Sequence, residues 1–187
     1  ACEQECPALI SQIDKIVEMR RHLTLMESNF PPEAQRLFTN LEQQGNPWGL
    51  QAAQRGAWAQ GLGVPVVRSA QDMAALDCLF YVGSAMSFDP RGQRIARAFV
   101  AILQRAEVRF GILGADEGST GECVRRVGNE MLFQQLATAL AGTLNQRGVK
   151  RIVTCDPHAL NSLRNEYPAF GGKFEVVHHT QVIEELL

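Results

Sequence analysis

The chain has 187 residues, 45% of them hydrophobic and 20% charged, enough apolar material for one sizeable core with an appendage. Its net charge of -2 argues against nucleic acid as a partner, because a phosphate-binding face shows as a basic excess. No apolar run reaches the roughly 20 residues of a bilayer span, and the N-terminal ACEQECPALI lacks the basic start and apolar stretch of a secretory signal, so a cytoplasmic chain with no membrane span is expected.

In chain order, residues 7–27 read as a helix, with Leu9, Ile10, Ile13, Ile16, Val17 and Leu23 mostly at steps of three and four and Pro7 suited to its first turn. A break at 29–31 precedes a second helix to about Gln44, with Gly45 as its C-cap. Residues 46–76 are punctuated by Gly and Pro and read as a linker with a short helix, which Trp48 and Trp58 would pin to a core. The pairs Arg20, Arg21 and Arg125, Arg126 read as solvated helix faces.

Four short runs rich in Val, Ile and Phe follow, at 77–83, 108–114, 150–155 and 174–179. Helical patterns separate them at 90–106, 124–147 and 157–166, and a last helix starts near Gln181. This alternation predicts an α/β fold: a parallel, doubly wound, Rossmann- or flavodoxin-like four-stranded sheet behind an N-terminal helical segment. Two helix starts are distinct, Asp89 before Pro90 and Asp156 before Pro157. Ligands of such sheets bind beyond the carboxyl ends of the strands, so segments 83–89, 115–123, 155–158 and 178–180 should gather on one rim.

What chemistry could that rim support? GADEGSTG, residues 114–121, has the small residues of a phosphate loop but neither the Lys of a Walker loop nor G-x-G-x-x-G, and Asp116, Glu117 and Glu122 would repel phosphate. Cys123, Cys155 and His158, with His178 or His179, offer thiolate and imidazole donors for zinc, against the alternative of buried thiols and hydrogen-bonded histidines. Cys155 with His158 or His179 as base is a third option that no motif specifies, and Cys78 reads as core. Five cysteines, an odd number, do not suggest a disulfide framework. At the N-terminus, Cys2, Cys6 and Pro7 form C-x3-C-P, the end of the ferredoxin run C-x2-C-x2-C-x3-C-P, or two ordinary thiols before a helix.

Several blocks carry a family resemblance: ACEQECPALISQIDKIVEMRRHLTLME, NPWG, YVGSAMSFDPRGQRIARAF, GECVRRVGNEMLFQQLA and NSLRNEYPAFGGKFEVVHHTQVIEELL. Together they resemble the junction and first Cys-Cys-Gly domain of heterodisulfide reductase-like iron–sulfur oxidoreductases, which include subunits similar to the glycolate oxidase iron–sulfur subunit. The resemblance implies that residues 1–45 are the helical tail of an upstream ferredoxin-like domain and 77–187 a Cys-Cys-Gly domain. It also implies that Cys2 and Cys6 are the third and fourth cysteines of a ferredoxin motif binding a 4Fe–4S cluster in the intact protein. Where the family resembles VGC, SCCGD and TCPHC, this chain has Ser84, Ser119, Thr120, Asp156 and Ala159 in place of the cysteines, and Cys155 falls one position early. No cluster is therefore expected within 77–187. The implied role is electron transfer beside a flavoprotein, another redox subunit or a second Cys-Cys-Gly domain, the chain alone not being catalytic. The intact protein or its complex could be peripheral to a membrane. The alternative is a non-redox docking scaffold kept for assembly.

Overall fold

The computed structural model describes residues 5–8 and 10–187, so Cys2 lies outside the described residues. Two helices come first, α1 (Ile13–Leu25) and α2 (Pro32–Gln44). α1 starts later than the apolar spacing predicts, and Pro7 is not in its first turn. α2 ends as expected on Gly45, whose φ of 64° is the left-handed conformation that glycine adopts without a Cβ clash.

Among the described residues four strands, β1 (Cys78–Tyr81), β2 (Phe110–Gly111), β3 (Arg151–Thr154) and β4 (Glu175–His178), form one parallel sheet in the order β2-β1-β3-β4. The alternation of strand and helix patterns thus yields the expected α/β fold. The chain leaves β1 toward β2, then crosses back over β1 to β3, so helices cover both faces. Alternation along β1 divides the core. Leu79 and Tyr81 face α2 and α7 (Glu130–Gln146), while Cys78 and Phe80 face α5 (Pro90–Arg105) and α9 (His179–Leu186). α5 presents Ala96, Phe99, Val100 and Leu103 to its side at steps of three and four.

Three elements depart from expectation. The run at 108–114 keeps only two residues in β2, but it also binds the preceding segment: Val67 N donates to Ile112 O at 2.8 Å and Ile112 N to Pro65 O at 3.0 Å. Residues 46–76, read as a linker, therefore extend the sheet edge, and within them a 3₁₀ helix (Ala52–Ala59) buries Arg55 and Trp58 ahead of a short helix, α3 (Ala70–Ala74). The single helix expected over 124–147 is two, α6 (Glu122–Val127) and α7, separated by Gly128 at φ 101°. The α1 backbone passes so close that a Cβ on Gly128 would lie 2.3 Å from Arg20 O. The helix expected over 157–166 is α8 (Pro157–Asn161), which widens into a π-helical turn over Ser162–Glu166. Among the described residues no helix is long and apolar enough to cross a membrane.

Candidate functional site at the strand tips

Directions of travel diverge between β1, which leads to the β2 edge, and β3, which leads to the β4 edge. That divergence opens a crevice beyond their carboxyl ends. A cavity of about 250 Å³ lies there, bordered by Gly83 and Ser84 after β1, Ser119, Thr120, Glu122 and Cys123 after β2, and Asp156 and His158 after β3. Three of the four segments expected on one rim thus meet. The fourth does not border the cavity: it follows the edge strand β4, His178 Nδ1 lies 2.8 Å from Thr180 Oγ1, and the His178 and His179 ring centroids are 4.1 Å apart.

Each wall has a local cause. α4 (Gly83–Phe88) begins on Gly83 at φ 80°, where a Cβ would come within 2.9 Å of Asp156 Oδ2. The loop after β2 crosses the end of β1 because Glu117 caps that strand. Its carboxylate accepts from Val82 N at 2.9 Å, from Gly83 N at 2.8 Å and from Arg55 Nε at 3.3 Å. Arg55 also donates to Gly45 O at 3.2 Å, Gly118 O at 3.4 Å and Ser84 Oγ at 3.0 Å. Both charged side chains are 2% exposed. Burial raises the Glu117 pKa above the ordinary carboxylate value, against the opposing pull of Arg55 and the two backbone amides. Tyr81 and Tyr167 hydroxyls donate to Gly118 O at 2.8 Å and Thr120 O at 3.1 Å, which fixes the loop from below.

Both expected helix caps form. Asp89 accepts from Gly92 N at 2.8 Å. Asp156 Oδ1 accepts from His158 N at 2.9 Å and Ala159 N at 3.3 Å.

The structure separates the zinc set. Cys123 and His158 border the cavity, but Cys155 packs against the α5 side of the core. Among the described residues no group of three or more His, Cys, Asp or Glu side chains is placed to hold a metal ion. His158 instead places Nδ1 3.4 Å from Glu122 Oε1. Burial pushes the Cys123 thiol up to about 11 and the Cys155 thiol up to about 12, so the surroundings of both disfavour the thiolate. Cys78 is buried core, as expected. Cys6 lies outside the cavity and accepts from Gln12 Nε2 at 3.4 Å. Ala159, 1% exposed, is buried in the core on the α7 side.

Residues missed in the sequence are Arg55, Tyr81 and the role of Glu117. Trp58 is a core side chain as expected, but Trp48 is 52% exposed and borders the cavity.

No family model matches the chain, and no solved structure does. A probable iron–sulfur-binding oxidoreductase, FadF, of Bacillus subtilis is 44% identical over all of this chain and 27% of its own length. An EtfAB:quinone oxidoreductase of Syntrophomonas wolfei is 42% identical, again over the whole chain and 26% of its own length. A polypeptide of the dihydromethanophenazine:CoB–CoM heterodisulfide reductase of Methanosarcina barkeri is 25% identical over the whole chain and 45% of its own length. The chain is thus similar to iron–sulfur-binding oxidoreductases, and more distantly to a heterodisulfide reductase polypeptide. It spans about a quarter of the length of the first two of these relatives. Ser84, Ser119, Thr120 and Asp156 all border this cavity, whereas Ala159 lies in the core behind it.

Proposed function

We propose that this chain is part of an electron-transfer iron–sulfur oxidoreductase in which the α/β unit at 77–187 is a docking shell rather than a cluster carrier. One observation carries the reading. The strand-tip crevice is bordered by the oxygens of Ser84, Ser119, Thr120 and Asp156, and among the described residues the sulfur that borders it is Cys123, whose burial disfavours the thiolate. Such a donor set does not fit an iron–sulfur cluster, which is gripped by several thiolates. Ser84 Oγ is also engaged by Arg55, and Asp156 Oδ1 by two amides of α8.

In this reading Cys2 and Cys6 contribute to a ferredoxin-type 4Fe–4S site of the intact protein. The α/β unit then docks that relay onto a flavoprotein, another redox subunit or a second Cys-Cys-Gly domain. A relative named a probable membrane-anchored ferredoxin supports attachment of the intact protein to a membrane. A purely structural scaffold would lack the run C-x2-C-x2 in front of Cys2.

Iron and acid-labile sulfide, with EPR after reduction, test this in the intact protein. Cys6→Ala should lower iron and alter the EPR spectrum, while Cys123→Ala and His158→Ala leave both unchanged. Loss of a cluster signal in either of the last two variants would refute it.

A further inference from the structure

The strand-tip cavity carries an unbalanced charge. Of the carboxylates at or beneath it, Glu117 is paired with Arg55, and Glu122 Oε1 is 2.9 Å from Arg126 Nε. Asp156 has no cationic side chain within ion-pair distance among the described residues. Its Oδ1 is committed to the amides of His158 and Ala159, and its Oδ2 lies over Gly83 without a hydrogen-bond donor. Thr120, only 8% exposed, borders the same space, and its hydroxyl has no partner among the described residues. A hydroxyl so placed is available to accept from a ligand.

We propose that this cavity binds a small organic ammonium ion, with Asp156 Oδ2 as its counter-charge and Thr120 Oγ1 as a second acceptor. Ser84 Oγ and Ser119 Oγ already accept from Arg55 and from Gly121 N, each retains accepting capacity, and both residues border the cavity. Three or four oxygen acceptors match the three N–H bonds of a primary ammonium. An anion is disfavoured by Asp156 and by the neutralised state of Arg55. A volume of about 250 Å³ is more than a bare alkali ion fills, and the half-exposed indole of Trp48 offers an apolar and π-rich wall to the carbon part of the ligand. Neither a redox role nor a docking role of the domain is needed for such binding.

Titration of ¹⁵N-labelled residues 1–187 with ethanolammonium chloride tests it. Saturable amide shifts are expected at Gly83, Thr120 and Asp156, with an affinity in the millimolar range. Asp156→Asn keeps the helix cap, because Asn caps as well as Asp. It removes the counter-charge and should weaken binding by about tenfold or more, and Thr120→Val by roughly two- to tenfold. The proposal is overturned by any of four results: no saturable shift, equal shifts with potassium chloride, unchanged binding in Asp156→Asn, or tighter binding of acetate than of the ammonium.

Discussion

At the scale of single residues, the strand tips are organised by a buried ion pair whose members lie far apart in sequence. Arg55 and Glu117 are separated by 62 positions, and each is 2% exposed. Their mutual attraction offsets desolvation only because the remaining hydrogen-bonding capacity is also used: three further acceptors for Arg55 and two backbone amides for Glu117. Removing one partner leaves the other charge buried and uncompensated. Arg55→Met should therefore lower the unfolding free energy by about 3–5 kcal/mol, measured by urea denaturation. A loss under about 1 kcal/mol, the level of an exposed pair, would show that water reaches the site and that the pair does not fix the loop. Nothing local in the sequence marks Arg55. It sits among Gly, Ala and Gln in a stretch without periodicity, and its partner reads as an ordinary loop acid.

Secondary-structure elements are legible in the sequence where a local rule decides them. Asp-Pro starts two helices because the carboxylate accepts orphan amides and Pro presets φ, and both caps form. The continuous apolar run of β1, buried on both faces, and the three-to-four stripe in α5 are equally local. Where tertiary contact decides, local rules mislead. The apolar pattern runs through Gly128 and predicts one helix, but the passage of α1 at that point breaks it in two. Thr24 Oγ1 donates to Val127 O at 2.9 Å and Arg20 Nη1 to Arg126 O at 2.9 Å, so α1 caps the end of α6 with side chains from a distant part of the chain. Gly128→Ala places a Cβ against Arg20 O at a φ that L-residues avoid, and should cost about 2–3 kcal/mol while displacing α1 from α6. Thermal unfolding with hydrogen exchange in α1 measures both; unchanged protection of α1 would contradict the contact as described.

For the whole molecule, the doubly wound topology makes a ligand crevice whatever chemistry its rim carries. Two crossovers in opposite directions open a space beyond β1 and β3, and the loops after β1, β2 and β3 fill its border. The sheet and its rim can be read from strand runs and caps. The donors at the rim can be compared with the thiolates of heterodisulfide reductase-like proteins only through a family resemblance, since Ser, Thr and Asp in a loop carry by themselves no signal of a cluster site. Shape and donors are therefore separable by experiment: the crevice should persist while iron does not bind there. Anaerobic reconstitution of residues 1–187 carrying Cys2→Ala and Cys6→Ala with iron and sulfide, followed by iron and acid-labile sulfide determination and EPR after reduction, tests this most directly. Substoichiometric iron after desalting and no cluster EPR signal are predicted. Stoichiometric iron and sulfide with the EPR signal of a reduced cluster would contradict the account.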